Sequence, residues 1–360
     1  MKILIGICGI GNGHLSRQSN VLNLLKQYDN EIVIATTNDN IGYIKTKFPD
    51  LKVLEITIPW IACNEKGIDF ETSINKYNES NINQYSNFLN FASNVEKAFS
   101  GVPDLVITDY EPNVAQYSYA VDIPLICMEQ QSKFLYLDEI KISNYSILEE
   151  KKRINYFFPK YDYKIISSFF PINIKDKKVR IVTPIISPLE KIANKKNHIL
   201  VYFSPYENSL NYIKVLDALK NISYYKIIVY TKEKFDISSE NIEFKNYSTE
   251  FKNDLENSFC LISTAGHQLL SEAISIGIPV YLIPLSTYEQ NYNAKMIEKY
   301  SLGEISESIS EIEINDFLKK VPNYKKKIIR FKNKYYKNNW EAELLNVINS
   351  YKKQNNIKIR

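Results

Sequence analysis

The 360-residue sequence has few cysteines. There are four, Cys8, Cys63, Cys127 and Cys260, and no two of them form a CxxC pair. This scarcity argues against a disulfide framework or a zinc knuckle and predicts a reducing compartment. No stretch approaches the roughly 18 apolar residues that a membrane-spanning helix requires, and the apolar part of the N-terminus is too short for a signal peptide. We therefore expect a cytoplasmic protein.

A strong excess of one charge is also lacking. The 45 Lys and Arg residues against 41 Asp and Glu residues leave a net charge of +4. This balance is too even to indicate a nucleic-acid partner. A hydrophobic content of 44% and a charged content of 24% are ordinary for a globular chain. At this length, two domains with sizeable cores are expected.

Short β-branched runs alternate with helical patterns almost throughout the chain. The runs in the first half are 2–7, 31–36, 52–56, 105–108 and 124–128, and those in the second half are 199–203, 226–230, 260–263 and 280–283. This rhythm predicts parallel strands joined by right-handed crossovers. The fold class is therefore α/β, with two doubly wound, Rossmann-like domains that face each other across a cleft.

The predicted boundaries follow from where this rhythm stops and restarts. The N-terminal, acceptor-side domain covers 1–176, and a proline- and lysine-containing linker covers 177–196. The C-terminal, donor-side domain covers 197–340. A last helix at 341–360 is expected to pack back toward the N-terminal domain.

The loop Gly9-Ile10-Gly11-Asn12-Gly13-His14 directly follows the first predicted strand. Glycines allow a tight turn, and the start of the next helix offers free N–H groups. The spacing is GxGxG, which does not fit the GxGxxG dinucleotide motif, so a dehydrogenase is not expected. An imidazole at this turn can accept a proton near neutral pH. The alternative is a histidine that only caps the helix.

A carboxylate ends another strand of the same half, in Thr108-Asp109-Tyr110-Glu111-Pro112. It faces the same edge of the sheet as His14, where it could hold the imidazole in one tautomer. The alternative is a helix N-cap or a turn residue.

The segment Ser263-Thr264-Ala265-Gly266-His267-Gln268 ends a strand and starts a helix at once. Backbone N–H groups and the helix dipole make such a turn an anion site. Glu272 follows about two turns along, at a reach suited to a ribose diol. Glu289 and Gln290 form an acid–amide pair that can bind sugar hydroxyls.

Two segments break the α/β rhythm. Residues 59–87 are long, polar and Asn-rich, which is typical of a lid or an acceptor-facing insertion. Residues 319–337 carry nine Lys and Arg residues and no acid, interleaved with aromatic residues. Two interpretations of 319–337 stay open: a solvated helical face, or a surface that contacts anionic membrane lipids.

The residues in these motifs resemble a known family. The stretches 3–17, 105–131 and 246–303 look like GT-B glycosyltransferases. They are similar to the UDP-N-acetylglucosamine transferase of peptidoglycan synthesis and to the UDP-glycosyltransferase superfamily. The resemblance implies a nucleotide-sugar donor, UDP-linked above all, and a glycan or lipid-linked acceptor of the bacterial surface.

The resemblance also implies roles for individual residues. His14 would be the general base, or else a residue that contacts the acceptor or a phosphate. Asp109 would be its acidic partner, and the loop residues Gly11, Asn12 and Gly13 would lie beside them. The donor would contact Thr264, Ala265, Gly266, His267, Gln268, Glu272, Glu289 and Gln290. The nucleobase would pack near 245–248. No DxD triplet, the metal–diphosphate signature of the other major glycosyltransferase fold, occurs in the sequence. We therefore expect an inverting enzyme with no metal and no cofactor.

Two other functions are compatible with the same motifs. A nucleotide-sugar 2-epimerase would consume the donor without an acceptor. A non-catalytic nucleotide-sugar or glycan-binding protein would bind the donor without turnover.

Overall fold

The computed structural model describes residues 1–9, 12–57, 62–64, 67–79, 83–141, 146–187, 198–203, 209–232, 234–237, 239–248, 250–285 and 287–358. The elements of the first half are β1 (Lys2–Ile7), α1 (Asn12–Leu25), β2 (Glu31–Thr36), α2 (Asn38–Lys47), β3 (Lys52–Glu55), β4 (Ala62–Asn64), β5 (Gly67–Asp69), α3 (Phe70–Glu79), α4 (Gln84–Phe99), β6 (Leu105–Asp109), α5 (Pro112–Val121), β7 (Leu125–Glu129), a 3-10 helix (Gln131–Leu135), α6 (Ile147–Phe157), β8 (Tyr163–Ser167) and β9 (Val179–Val182). Those of the second half are β10 (His198–Tyr202), α7 (Ser209–Leu219), β11 (Lys226–Tyr230), β12 (Ile242–Lys245), α8 (Glu250–Glu256), β13 (Ser258–Ser263), α9 (His267–Ile276), β14 (Val280–Leu282), α10 (Tyr288–Lys299), β15 (Gly303–Ile305), α11 (Glu311–Tyr335) and α12 (Trp340–Lys358).

Two parallel sheets organise these elements, which confirms the predicted fold class. The first has the order β3-β2-β1-β6-β7-β8-β9, and the second has the order β12-β11-β10-β13-β14-β15. In each sheet the chain order reverses at one place, between β1 and β6 and between β10 and β13. Ligand crevices in open α/β sheets form at these reversals, outside the carboxyl ends of the strands. The residues after β1, β6 and β13 are therefore the ones that the topology offers to a ligand.

The strands are buried on both faces, as a parallel sheet covered by helices requires. In β1 every residue after Lys2 is fully or nearly fully buried. One hydrophobic cluster contains residues of both sheets, such as Leu4 and Leu261, so the core is continuous across the contact between the halves. A second cluster joins the first sheet to Trp340 and Leu344 of α12. The C-terminal helix thus packs on the N-terminal sheet.

The structure differs from the predicted linker at one place. Residues 179–182 of the segment 177–196 form β9, the edge strand of the first sheet, which pairs with β8. Val179 and Val182 are buried there. The lysine-rich run just before β9 is typical of a linker, but the apolar residues that follow it are buried at the edge of the sheet. Residues 188–196 of the segment lie outside the described part of the chain.

The two segments that break the rhythm contain secondary structure where they are described. Part of 59–87 forms the antiparallel pair β4–β5 and helix α3. Most of 319–337 belongs to the 25-residue helix α11. Within the described ranges, no helix combines the length and the apolar character needed to cross a bilayer.

Candidate active site

Helices α1 and α9 begin opposite each other where the two halves meet. Asn12 and Gly13 form the first turn of α1, directly after the loop that follows β1. A Cβ on Gly13 would come within 3.1 Å of the Gln268 Cβ in the first turn of α9. The absence of a side chain at this position therefore allows the two helix starts to approach closely. Gly11 of the predicted loop lies outside the described residues.

His14 and Asp109 are joined, as their positions at neighbouring strand ends predict. His14 Nδ1 lies 2.7 Å from Asp109 Oδ1, and both side chains are buried. Burial alone would raise the pKa of Asp109, but the charge of Arg17 and the hydrogen bonds from His14 and Arg17 outweigh it and hold that pKa below its ordinary value. An ionised carboxylate only accepts hydrogen bonds, so the contact assigns the imidazole proton to Nδ1. His14 Nε2 is then left with its lone pair, as a general base requires. The catalytic role itself stays a prediction.

Asp109 also binds two side chains that the sequence analysis did not select. Arg17 donates from Nε to Oδ2 at 2.9 Å and from Nη2 to Oδ1 at 2.6 Å. Gln18 Nε2 donates to Oδ2 at 2.9 Å. His14, Arg17 and Gln18 are spaced i, i+3 and i+4 on α1, so they lie on one helix face. That spacing is the signal in the sequence that could have identified them.

Tyr110 covers one side of the His14 imidazole. The two rings stack with centroids 6.4 Å apart, and Phe158 lies 5.4 Å from the Tyr110 ring. Tyr110 has a left-handed backbone, with φ of 56°. This conformation costs a non-glycine residue roughly 1–2 kcal/mol. The next residue, Glu111, accepts from Val114 N as the N-cap of α5, so the cap that was an alternative for Asp109 is provided by Glu111.

The turn before α9 has the strand–turn–helix form that its sequence predicts. Gly266 is the N-cap, and no side chain caps the first N–H groups of the helix. Ala265 N donates to Gln290 Oε1 at 3.0 Å, which ties this turn to the start of α10. Thr264 is buried beside it.

His267 does not face this turn with its side chain. Its Nδ1 lies 3.1 Å from Asn293 Oδ1, and its ring packs against Phe169, with centroids 4.8 Å apart. Burial, followed by the charge of Lys133, lowers the pKa of His267 well below its ordinary value. His267 is a neutral core residue, and only its backbone is available to a ligand.

Glu272 and Gln268 are in contact with the N-terminal half. Ser16 Oγ donates to Glu272 Oε1 at 2.9 Å, and Gln268 Nε2 donates to the same oxygen at 2.9 Å. Gln268 Oε1 in turn accepts from Gln130 Nε2 at 2.9 Å and from Arg17 Nη1 at 3.2 Å. Burial is the main cause that raises the pKa of Glu272. The hydroxyl of Ser16 thus occupies a position on Glu272 where a ribose hydroxyl could donate.

Glu289 is paired with a buried lysine of the other half. Lys133 Nζ lies 2.9 Å from Glu289 Oε1, and the Lys133 side chain is fully buried. Burial would raise the pKa of Glu289, but Lys133 outweighs it, and the net effect is a lowered pKa. Lys133 follows β7 in a 3-10 helix, and its sequence context gave no signal of a site residue.

The described residues thus bring together a histidine–carboxylate pair, an uncapped helix start and two buried cations where the two halves meet. His14 and Asp109 belong to the first half, and Gly266, Gln268 and Glu272 belong to the second. Such a set can remove a proton from a hydroxyl on one side and stabilise an anion on the other.

Comparison with known proteins agrees with this geometry. A model of the family described as glycosyl transferase family 1 matches residues 1–322. No curated protein matches the sequence. Among solved structures, a UDP-glucose:anthocyanidin 3-O-glucosyltransferase in complex with UDP is similar at a TM-score of 0.74 and 14% identity, covering 97% of this chain and 98% of that chain. The kitacinnamycin glycosyltransferase gives a TM-score of 0.71 at 10% identity, over 97% of this chain and 98% of that one. The glycosyltransferase VinC in complex with dTDP gives 0.67 at 13% identity, over 98% and 100%.

At these identities the structural likeness establishes the fold, whereas the family model covers most of the chain. The protein therefore belongs to glycosyl transferase family 1 and has the GT-B fold.

Proposed function

We propose that the protein transfers a sugar from a UDP-sugar to an acceptor hydroxyl by a single inverting displacement that needs no metal. The observation that carries this proposal is the buried His14–Asp109 pair opposite the uncapped start of α9. A base on one half and an anion site on the other are the two groups that this displacement requires.

The reaction begins with His14. Its Nε2 takes the proton of the acceptor hydroxyl while the acceptor oxygen attacks the anomeric carbon. The bond between that carbon and the diphosphate oxygen breaks, and its electron pair leaves with the nucleoside diphosphate. Because attack and departure occur on opposite faces of the sugar, the anomeric configuration inverts. Asp109 keeps the proton of His14 on Nδ1 and stabilises the imidazolium that forms.

The leaving diphosphate is assigned to the start of α9, near Gly266 and the backbone of His267 and Gln268. The helix dipole and the N–H groups there stabilise negative charge. The buried cations Arg17 and Lys133 lie in the same region, but each is paired with a carboxylate, Asp109 and Glu289 respectively. The N–H groups and the helix dipole would therefore do here the work that a divalent cation does elsewhere, which supports the proposal of metal-independent transfer.

The nucleoside is assigned to the surface between Glu272 and the residues after β12. The Glu272 carboxylate suits a ribose diol. The Tyr247 ring is 45% exposed at 245–248, the region expected to hold the nucleobase. Partial burial, followed by the charge of the Glu272 carboxylate, raises the pKa of the Tyr247 phenol. Structures with this fold were solved with UDP and with dTDP, and UDP is our first choice.

The proposed acceptor is a surface glycan or glycolipid hydroxyl, as the sequence resemblance implies. The exposed side of helix α11 supports a lipid-linked acceptor, because it includes the basic residues Lys326, Arg330 and Lys334. Its aromatic residues face the protein instead: Phe331 is buried, and Tyr324 donates to Glu304. We infer an electrostatic contact with anionic lipids without insertion. Binding to phosphatidylserine vesicles should fall with salt, and no binding at low salt would contradict this inference.

Acceptor-dependent UDP release tests the central proposal. Purified protein is incubated with UDP-sugars and an array of glycan acceptors, and the anomeric configuration of the product is read by NMR. We expect release only with acceptor, an inverted product and no loss of rate in EDTA. Release without acceptor and with C2 epimerisation of the sugar would indicate the epimerase instead.

A further inference from the structure

Arg17 is one of the largest fully buried side chains of the described chain, with 1% of its surface exposed. A guanidinium is always charged, so its burial is tolerated only where its N–H groups find partners. Two of its nitrogens form a fork on the Asp109 carboxylate, at 2.9 and 2.6 Å. This fork fixes the plane of the carboxylate and therefore which oxygen faces His14.

The third nitrogen of Arg17 reaches the other half of the protein. Nη1 donates to Gln268 Oε1 at 3.2 Å. The orientation of the Gln268 amide is fixed from the other side, because its Nε2 donates to Ile185 O at 3.2 Å and to Glu272 at 2.9 Å. Gln268 is the second residue of α9, in the turn assigned to the diphosphate. One side chain therefore links the donor turn to the carboxylate that orients the base.

We propose that Arg17 is a positioning residue that couples the donor side of the cleft to the His14–Asp109 base. This inference rests on the function proposed above. When α9 is in place against α1, Arg17 holds Asp109 in the orientation that keeps the proton on His14 Nδ1. When α9 moves away, Arg17 loses its Gln268 contact and can turn its Nη2, which lies 3.1 Å from His14 Nδ1, toward that nitrogen. A hydrogen bond donated to Nδ1 favours the tautomer with the proton on Nε2, which cannot act as the base.

The charges that face His14 give the sign of the expected pH effect. Arg17 lies on the same helix, Asp109 and the Tyr110 phenol come from the end of β6, and Glu289 of α10 acts on His14 from the other half. Arg17 is the cation among them. Its removal leaves His14 facing an unbalanced carboxylate, which favours the protonated imidazole. The acidic limb of the rate profile must then move to higher pH.

The test compares Arg17→Met, which removes the charge, with Arg17→Lys, which keeps the charge but not the fork. For Arg17→Met we expect kcat to fall about 100-fold, the Kd of UDP to change less than about threefold, and the acidic limb of kcat/KM to move to higher pH. Arg17→Lys should restore the position of the acidic limb of kcat/KM but only part of kcat. Arg180→Met is the control, because Arg180 pairs with Glu343 on the surface at 3.5 Å and should leave kcat and the pH profile unchanged.

A second readout does not need turnover. The chain has three histidines, so the ¹⁵N signals of the His14 ring can be assigned and titrated. Arg17→Met should shift this titration to higher pH. In wild type, UDP should change the His14 signals, and in Gln268→Met, which leaves the Arg17–Asp109 fork intact, UDP should bind without that change.

The outcomes separate the two proposals. A wild-type rate and an unshifted acidic limb in Arg17→Met overturn the role of Arg17 while leaving the transferase intact. If Arg17→Met does not fold, an unaltered UDP response of His14 in Gln268→Met overturns it equally. If the wild type turns over no UDP-sugar, the proposed function fails, and the His14 titration in Arg17→Met still decides whether Arg17 controls the base.

Discussion

Replacing Asp109 with Asn tests how much of the site depends on one buried charge. The carboxylate accepts from His14, from two nitrogens of Arg17 and from Gln18. An amide of the same shape can accept on one side only, and it leaves the buried Arg17 guanidinium without a counter-charge. It also presents an N–H group to His14 or to Arg17, both of which need an acceptor. We therefore expect a loss of both stability and catalysis.

The magnitude follows from the burial of both partners. Breaking a buried ion pair by removing one partner costs about 3–5 kcal/mol. At roughly 2 °C per kcal/mol for a chain of this size, the melting temperature should fall by about 6–10 °C. The rate should fall about 10²–10⁴-fold, because the His14 tautomer is no longer fixed.

The pH dependence of the stability loss has a definite sign. The folded pKa of Asp109 lies below its unfolded value, so its stabilising effect is present above that unfolded value, near pH 4. The effect is lost as the pH falls through the folded pKa. The gap in stability between wild type and Asp109→Asn should therefore be full at pH 7 and shrink below about pH 4.

Calorimetric melting across this pH range measures the effect. Asp50→Asn is the matched control, since Asp50 pairs with Lys26 on the surface, and it should melt close to wild type. The double variant Arg17→Met/Asp109→Asn should be more stable than the sum of the single losses, because neither partner is then left alone. Additive losses, or a shift below about 2 °C in Asp109→Asn, would refute the argument that a buried ion pair holds the site together.

Three further predictions concern the remaining site residues. His14→Ala should lower kcat about 10²–10⁴-fold with unchanged UDP affinity by calorimetric titration, and a near-normal rate would remove His14 from the base role. Because burial raises the pKa of Glu272, Glu272→Gln should be more stable than wild type at pH 7, with the difference vanishing below about pH 4 in melting curves. The same variant should bind UDP more weakly by roughly 1.5–3 kcal/mol, and unchanged affinity would refute the ribose assignment. Lys133→Met frees Glu289 from its partner, so the KM of the UDP-sugar should rise about tenfold, or about 1.4 kcal/mol. The Kd of UDP, which lacks the sugar, should stay constant. Equal changes in KM and Kd would contradict the assignment of Glu289 to the sugar.

The sequence predicts the architecture well because parallel strands are unmistakable when both faces are buried. Runs such as 2–7 and 105–108 are apolar apart from one end residue, and helical patterns separate most of them. The edge strands β9, β12 and β15 and the inner strand β8 were missed, whereas the edge strand β3 was predicted. The strands β12 and β15 have only four and three residues, and β9 follows a run of lysines. Their strand character comes from a neighbour on the sheet that the local sequence does not reveal.

The residues of the candidate site were predictable where the sheet topology alone determines their position. His14 follows β1, and Asp109 is the last residue of β6. The order of the first sheet reverses between these two strands, so the topology brings the two residues together. Lys133 was not predictable, since a lone basic residue usually indicates a solvated surface, and the only sequence signal for Arg17 is its spacing from His14 on α1. Only the packing of the two halves reveals that both are buried, with Arg17 donating to Gln268 and Lys133 pairing with Glu289 of the other half. His267 was predicted to be a donor-binding residue from its sequence motif, but its side chain lies in the core.

Nucleotide binding tests the account most directly. A thermal-shift panel of UDP, dTDP, GDP, CDP, UDP-sugars and NAD would be run on wild type and on Glu272→Ala. We expect a clear rise in melting temperature with UDP and UDP-sugars that is lost in Glu272→Ala. No shift with any nucleotide, or a shift with NAD alone, would contradict the proposed transferase and leave the family and the fold as what is established.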